Sequence, residues 1–352
     1  MDWNTDEAYH RYKKVIGSAS AQQIIRKNNE AWKSFFALLK KKKEGTLPPH
    51  INRIRPPGYW KDRRTGRRKL RYLVRCNTYT LTDTMLTLPF NLKLKWKGEN
   101  KWQGRQGRLE IRYDALTGHW YALMPVEVEE PPHQPLGTKK AYVDLGVKVP
   151  IMAMIEGTTQ VFGYRANAML AEWWYWNHKV AKHQSLLKTT NDVSRSKECS
   201  RLFRMRKRRF RDVINKVVND FVVRCWSQGV SEIVLGELTH IRTSAQFSKK
   251  SNSMIHLFWS HHYLVTRIKE KAEEYGITVR EIDERGTSSL CPRCGATRVV
   301  RKGRLFKCLR CRLEAHRDAV GCVNIRLAQG DHLAAGVING AVARPAFFSI
   351  EV

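Results

Sequence analysis

Four cysteines in two C-x-x-C pairs form the clearest chemical pattern of the sequence. Cys291 and Cys294 are followed by thirteen residues and then by Cys308 and Cys311. Two close thiolate pairs joined by a short hairpin supply the four soft ligands of a tetrahedral zinc site. A site closed by four cysteines has no open position for Lewis-acid chemistry. The spacing therefore predicts one structural Zn²⁺ in a zinc ribbon, against the alternative of four unrelated cysteines.

The charge of the chain predicts a polyanionic partner. Lys and Arg number 64 against 32 acidic residues, which gives a formal net charge of +32 and a pI near 10.1. Such a field repels itself unless a polyanion neutralises it, although a solvated lysine-rich surface is the bland alternative. The first residues carry no apolar signal segment and no apolar run is long enough to span a membrane. We expect a cytoplasmic, nucleoid-associated protein with no membrane partner.

The elements that must position the cysteines follow from the apolar spacing. Residues 17–43 show helical spacing and carry Ser18 and Ser20 as candidate caps. Short alternating segments then predict an antiparallel barrel or sandwich. After a Pro-rich linker come three strands, the first ending at Asp144, followed by a helical region near 167–227. A strand "EIVLGEL", a helix near 255–275 and a strand "ITVREIDE" complete the order, which is that of the ribonuclease H fold.

The helical region contains a run of cations, "RLFRMRKRRFRD", that unpaired would repel one another. We expect this run to contact nucleic-acid phosphates, and the alternative is an exposed helix that merely adds charge. The predicted contacts are Arg201, Arg204, Lys207, Arg208 and Arg211. Three tryptophans shortly before the run are expected to pack within the fold rather than stack on bases: Trp173, Trp174 and Trp176.

Several motifs occur together in order along nearly the whole chain. "DERGTSSLCPRCG", "FKCLRC" and "HRDAVGCVNI" resemble the C-terminal signature of the transposon-encoded TnpB family, which is related to the type V CRISPR effector nucleases. "AYVDLGV" resembles that family's first RuvC motif, "IVLGELTHIR" lies where the second is expected, and residues 18–39 are similar to its early helical segment. The sequence departs from the family by starting almost directly at that segment and by reading Gly236-Glu237-Leu238 at the second motif.

The resemblance implies an α/β architecture in five parts. A short helical recognition segment (1–50) and a WED-like β-barrel (51–136) precede a ribonuclease H-like, or RuvC, nuclease domain. The first part of that domain (137–286) is followed by the inserted zinc ribbon (287–312) and by its C-terminal part and tail (313–352).

The resemblance also implies an Mg²⁺-dependent endonuclease that cuts phosphodiesters with two metal ions held by carboxylates. Asp144 matches the first ligand and Asp318 the last. For the third we favour Glu284 over Glu237, since a one-residue shift along a strand turns the side chain to the opposite face. The ribbon lies between Glu284 and Asp318, so we expect its zinc to fix the hairpin that joins two metal ligands. His316 is expected to contact substrate or simply to be a polar helix residue.

The resemblance implies an RNA-guided DNA endonuclease whose partners are a guide RNA, transposon-encoded or CRISPR-like, and a target DNA. The basic ribbon loop is expected beside the DNA, with Arg301, Lys302 and Arg304 as its contacts. The alternatives are a non-cleaving RNA-guided repressor or transposon accessory protein, a type V effector that uses a CRISPR array RNA, and a guide-free DNA-binding protein. The sequence leaves the oligomeric state open.

Overall fold

The computed structural model describes residues 7–48, 51–61, 68–100, 102–191, 196–237, 261–283 and 289–349. The chain divides into two compact units, residues 1–130 and 131–352. Within the described ranges no helix has both the length and the apolar character needed to cross a membrane.

Two helices begin the first unit, α1 (Glu7–Ile16) and α2 (Ser18–Lys43). The predicted helix over 17–43 is confirmed, and its four-lysine end lies where the helix dipole favours cations. The predicted serine cap is wrong. Gly17 takes the cap position with a φ of 82°, a conformation that costs glycine little. The Ser18 hydroxyl is bonded to that of Tyr9, and Ser20 donates to the Tyr72 hydroxyl at 2.9 Å.

Eight short strands follow in the first unit. Their pairing is antiparallel, as the alternating sequence predicts. They form three small sheets, ordered β1-β6-β7, β2-β3-β4 and β5-β8, and no pairing among the described residues closes them into one barrel. A small core that includes Val74, Leu86 and Leu109 lies within them. The strands are β1 (Arg71–Val74), β2 (Thr80–Leu81), β3 (Met85–Leu88), β4 (Leu92–Lys95), β5 (Arg105–Gln106), β6 (Leu109–Asp114), β7 (His119–Leu123) and β8 (Val126–Glu127).

The second unit is built on a six-stranded sheet, ordered β13-β12-β9-β10-β11-β17. Strands β9, β10 and β11 form an antiparallel meander, whereas β12 runs parallel to β9, β13 to β12, and β17 to β11. The element order predicted from the sequence is present, with the long helical region divided into two helices. The sheet strands are β9 (Lys139–Asp144), β10 (Ile151–Ile155), β11 (Val161–Tyr164), β12 (Val230–Glu237), β13 (Thr278–Asp283) and β17 (Ala346–Phe348).

The helices cover both faces of this sheet. One face packs on α3 (Asn167–Asn191), α4 (Lys197–Ser227) and α5 (His261–Glu274), in a core that includes Val143, Phe221 and Leu235. The opposite face packs on α6 (Arg317–Ala328) and α7 (Ala335–Ala343). Along β9, Ala141 and Val143 belong to the first core, and Tyr142 packs with Ile325 of α6. The two-residue period of a strand therefore assigns Asp144 to the α6 face.

Candidate metal and nucleic-acid site

The four predicted zinc ligands converge. The sulfur atoms of Cys291, Cys294, Cys308 and Cys311 all lie within 4.8 Å of one another. The Sγ atoms of Cys291 and Cys311 are 3.5 Å apart, and those of Cys294 and Cys308 are 3.7 Å apart. Four thiols at this separation are the donor set that a tetrahedral zinc ion takes. The cluster can hold zinc.

The backbone around each cysteine pair favours the thiolate form. Gly295 and Arg312, which directly follow the two pairs, have φ angles of 67° and 60° and turn the chain back at each pair. The Cys311 backbone N–H points at the Cys308 sulfur, 3.5 Å away. Burial raises the pKa of Cys308, but hydrogen bonds from the Cys311 and Arg310 backbone and from the Cys311 and Cys294 thiols lower that pKa to about 6. At Cys291 burial prevails and raises the pKa to about 12, although the backbone of Cys294 and Arg293 acts to lower it.

The ribbon is joined to the rest of the second unit by packing and hydrogen bonds. Its strands are β14 (Val299–Lys302), β15 (Leu305–Cys308) and β16 (Glu314–His316), and β16 leads directly into α6. Phe306 and Cys308 lie in one buried cluster with Val320 and Val323 of α6. Arg293 donates to the Asn339 side chain of α7 at 2.7 Å and to the Cys311 carbonyl at 3.1 Å. The position of α6 therefore depends on the ribbon.

Asp144 lies against α6, at the end of β9. A Cβ atom at Gly321 would be 2.6 Å from the Asp144 Oδ2 atom and 3.1 Å from its Cγ atom, so only glycine lets the carboxylate approach the helix this closely. Cys322, the next residue, donates its thiol hydrogen to the Tyr142 carbonyl at 3.0 Å. Burial, with the Asp144 carboxylate adding to it, raises the pKa of this thiol.

Asp318 is in the first turn of the same helix, as predicted. It precedes Gly321 by three residues, and residues three apart lie on the same helix face. The structure thus brings the Asp144 carboxylate to a point about one helical turn from Asp318. The Asp318 side chain is 13% exposed, and its Oδ2 atom accepts a hydrogen bond from Arg304 of the ribbon. Two acidic side chains, one at the C-terminal end of β9 and one in the first turn of α6, offer the hard oxygen ligands that Mg²⁺ takes.

Arg304 and His316 complete the surroundings of Asp318. The Arg304 carbonyl accepts the Arg317 backbone N–H at 2.8 Å, which fixes the ribbon turn to the start of α6. His316 ends β16 rather than lying in a helix, and its buried Nδ1 atom has no hydrogen-bond partner among the described residues. Burial lowers the pKa of His316; Asp318 opposes the shift, and the Arg304 and Arg165 guanidinium groups add to it.

The structure does not describe the side chain of either candidate for the third carboxylate. Glu284 lies outside the described residues, directly after the end of β13 at Asp283, and the side chain of Glu237 is also outside them. In the parallel register, Glu237 is paired with Asp283, and Gly236 with Ile282. Val234 and Ile282 pack with Tyr142 under α6.

The basic run of α4 faces away from the core. The buried side of the helix includes Phe210, Val213, Val217 and Phe221. The predicted residues Arg201, Lys207, Arg208 and Arg211 are exposed, and Arg204 is half-buried. Spacings of three and four residues put 201, 204, 208 and 211 on one side of the helix, opposite the buried side.

Some side chains of the basic run make contacts within the protein. Arg201 is paired with Glu198 at 3.0 Å, and Arg211 lies over the Tyr263 ring at 4.4 Å. Arg206 lies between the rings of Trp173 and Phe203, at 4.5 and 5.0 Å from their centroids. Arg301 and Lys302 are exposed on β14.

The tryptophans of α3 divide into two groups. Trp173 is buried against Phe210, and the Trp176 indole donates to Glu172 at 2.8 Å, as expected for side chains that pack within the fold. Trp174 differs, because it is 40% exposed.

Two residues near the site escaped the sequence reasoning. The signal for Gly321 was a glycine inside a helix, three residues after an aspartate. Nothing in the sequence marked Arg165, which lies 4.4 Å from the Phe347 ring beside His316.

Comparisons with known proteins agree with this architecture. The model of the Cas12f1-like TNB domain matches residues 261–325, and that of OrfB_IS605, a probable transposase, matches residues 123–242. A TnpB-like protein of Acidianus two-tailed virus, ORF457, is 32% identical over 97% of this chain and 78% of its own length. A CRISPR-associated endodeoxyribonuclease Cas12f1 of Syntrophomonas palmitatica is 25% identical over 63% of this chain and 45% of its own length.

A cryo-EM structure of a Cas12f1-sgRNA-target DNA complex is similar with a TM-score of 0.57 at 14% identity, over 91% of this chain and 73% of that one. The α/β fold is therefore similar to that of Cas12f effectors. The chain belongs to the TnpB family.

Proposed function

We propose that the protein is an RNA-guided DNA endonuclease with a RuvC-type site, formed by Asp144, Asp318 and a third carboxylate. The observation that carries the proposal is the contact of the Asp144 carboxylate with Gly321, one helical turn from Asp318. Family membership and the exposed basic side of α4 support it. The Cas12f1 relative is a CRISPR-associated endodeoxyribonuclease, which connects this architecture with DNA cleavage.

The chain's own residues would bind two Mg²⁺ and position the DNA strand. Asp144 and Asp318 would supply the metal ligands, and Gly321 allows the Asp144 carboxylate to lie close to the helix that carries Asp318. Paired divalent ions in such sites activate water and stabilise the leaving oxygen. Arg304 and the exposed Arg301 and Lys302 would guide the phosphate backbone towards this edge.

We propose Glu284 as the third ligand, ahead of Glu237. Tyr142, Val234 and Ile282 pack together under α6. Two residues further along, the period of a strand leads from Tyr142 to Asp144 and from Ile282 to position 284. Val234 leads in the same way to Gly236, which has no carboxylate. Glu237 is one step out of phase with this series.

The zinc ribbon would fix the position of α6. It would not be a catalytic centre, because four cysteine ligands close the coordination shell of the metal. The exposed cations of α4 would bind the sugar-phosphate backbone of the guide RNA or of its duplex with the target. In this mode, base pairing selects the sequence and the protein reads backbone shape and a short flanking motif.

A reconstitution experiment tests the proposal. The chain is co-expressed with RNA from its own locus, the copurifying RNA is sequenced, and the complex is given Mg²⁺ and a plasmid that carries the matching target. We expect guide-dependent cleavage that Asp144→Asn and Asp318→Asn abolish without loss of RNA binding. Glu284→Gln should abolish cleavage, whereas Glu237→Gln should retain most of it.

The outcomes separate the alternatives. RNA-guided DNA binding without cleavage under any divalent metal would favour the non-cleaving repressor or accessory protein. DNA binding or cleavage that ignores RNA would favour a guide-free protein. The identity of the copurified RNA decides between a transposon-encoded guide and a CRISPR array RNA.

A further inference from the structure

The first unit contains a cavity that the nuclease site does not use. Its volume is about 280 Å³, and it lies between the β2-β3-β4 sheet and strands β6 to β8. The buried side chains of Leu86 and Leu109 and the half-buried Trp96 and Trp102 line it. This volume is just below the ~300 Å³ at which pockets for drug-sized ligands begin. A single ring system is within this size.

Tight packing of the surrounding backbone shapes the cavity. The Trp96 indole donates to the Thr82 carbonyl at 2.8 Å, which fixes the orientation of the ring. A Cβ atom at Gly98 would be 2.9 Å from the Trp96 ring, so the loop can cross the edge of that ring only as glycine. The loop then continues to Glu99 and Asn100, which line the cavity from its exposed side.

The lining favours a heterocycle with hydrogen-bonding edges over a purely apolar ligand. Indole rings stack on bases of any sequence. The Asn100 amide can donate and accept, and a carboxylate such as that of Glu99 only accepts. Guanine presents two adjacent N–H donors on its base-pairing edge, which match a carboxylate. Exposed lysines on and after β4 add positive charge to this part of the first unit, namely Lys93, Lys95 and Lys97.

We propose that this cavity binds an unpaired guanine base of a nucleic acid. Trp102 stacks on the base, and Glu99 accepts hydrogen bonds from its base-pairing edge. The source of the nucleic acid in this inference rests on the proposed function. The recognition of the base by the cavity does not depend on it. A single base held outside the helix would fix the register of the bound strand without help from the nuclease domain.

The first test uses mononucleotides and the full chain freed of copurifying nucleic acid. Binding of GMP, AMP, CMP, UMP and ribose 5-phosphate is measured by calorimetry or ligand-observed NMR. We expect GMP to bind at least about fivefold more tightly than the others, with Trp102→Ala weakening it about tenfold, within the ~5- to 150-fold range of base–aromatic stacking. Glu99→Gln should remove the preference for GMP over AMP, and Gly98→Ala should weaken GMP binding by moving the loop.

The matched control is Trp120→Ala, since Trp120 is an exposed tryptophan of β7 that does not line the cavity. The inference is overturned if GMP binds no better than ribose 5-phosphate, or if Trp102→Ala and Trp120→Ala behave alike. Melting curves of each variant separate lost binding from lost folding.

A second test identifies the source of the base. 6-Thioguanosine placed in the RNA or in the target DNA is photo-crosslinked, and the crosslinked peptide is mapped. A crosslink within residues 96–102 from either strand supports the inference and names the source, and its absence from both overturns it. Cleavage and RNA copurification are measured in parallel. A complex that cuts without binding GMP loses only this inference, and a chain that binds GMP but no guide RNA loses only the proposed function.

Discussion

Replacement of Gly321 by alanine should slow metal-dependent cleavage by ~100-fold while leaving the fold intact. The added Cβ atom would lie 2.6 Å from the Asp144 Oδ2 atom and 3.1 Å from its Cγ atom. Non-bonded carbon atoms prefer separations of ~3.5–4.0 Å, so the carboxylate would have to move by roughly 1 Å. A misplacement of about 1 Å can cost ~100-fold in rate.

The expected effect on stability is small, because two contributions to the free energy of unfolding oppose each other. Alanine gains about 1 kcal/mol over glycine inside a helix. The clash is with the far end of a side chain, which can rotate away, so it removes part of that gain without unfolding α6. The melting temperature of Gly321→Ala should therefore stay close to that of the parent protein.

The assay combines single-turnover cleavage of a matched target, Mn²⁺ titration by calorimetry, and melting by circular dichroism. Gly340→Ala in α7 is the matched control, because a Cβ atom there would have no heavy atom within 4 Å beyond its own helix backbone and immediate neighbours. It should keep full activity and gain stability from helix propensity alone. Parental cleavage and Mn²⁺ affinity in a folded Gly321→Ala protein would refute the assignment of Asp144 to a metal site beside α6.

Three further predictions concern the ribbon and the basic helix. Cys308→Ser should reduce the zinc content from one ion per chain towards zero and lower the melting temperature, because Cys308 shares a core with α6. The control Cys76→Ser, at an exposed cysteine, should change neither quantity. Elemental analysis measures the zinc content and calorimetry the melting temperature. Arg206→Ala should cost about 1–2 kcal/mol of unfolding free energy by denaturant titration, because it removes a cation held between two aromatic rings, and an unchanged midpoint would contradict this. Arg208→Ala should leave the free energy of unfolding unchanged but weaken RNA binding. The slope of log affinity against log salt should become less steep by about one, as expected for one lost phosphate contact. An unaltered slope would show that Arg208 does not contact the RNA.

The sequence was sufficient where its signals were local or strictly spaced. The C-x-x-C pairs predicted the sulfur cluster because the ligands of a zinc ribbon come from two tight turns, whose spacing is visible in one dimension. The strand ending at Asp144 was also correct, since it has a clear apolar pattern.

Long-range features were beyond the sequence patterns. The alternating segments predicted antiparallel strands but not their division into three small sheets, because pairing partners depend on contacts far apart in the chain. The Arg304–Asp318 ion pair depends on the ribbon turn folding back on α6, which spacing alone does not reveal. Trp174 was expected to pack within the fold, yet it lies on the exposed side of α3 next to the buried Trp173. An apolar residue type does not by itself decide burial.

The contact between Asp144 and Gly321 has a consequence for biosynthesis. The two aspartates of the proposed site are separated by about 170 residues of chain, and a ribosome adding about 5–20 residues per second needs roughly 10–35 s to bridge that distance. During this interval the nascent polypeptide already carries the exposed cations of α4, but it lacks Asp318, the last ligand of the proposed metal site. We therefore expect binding of RNA to precede completion of the proposed metal site.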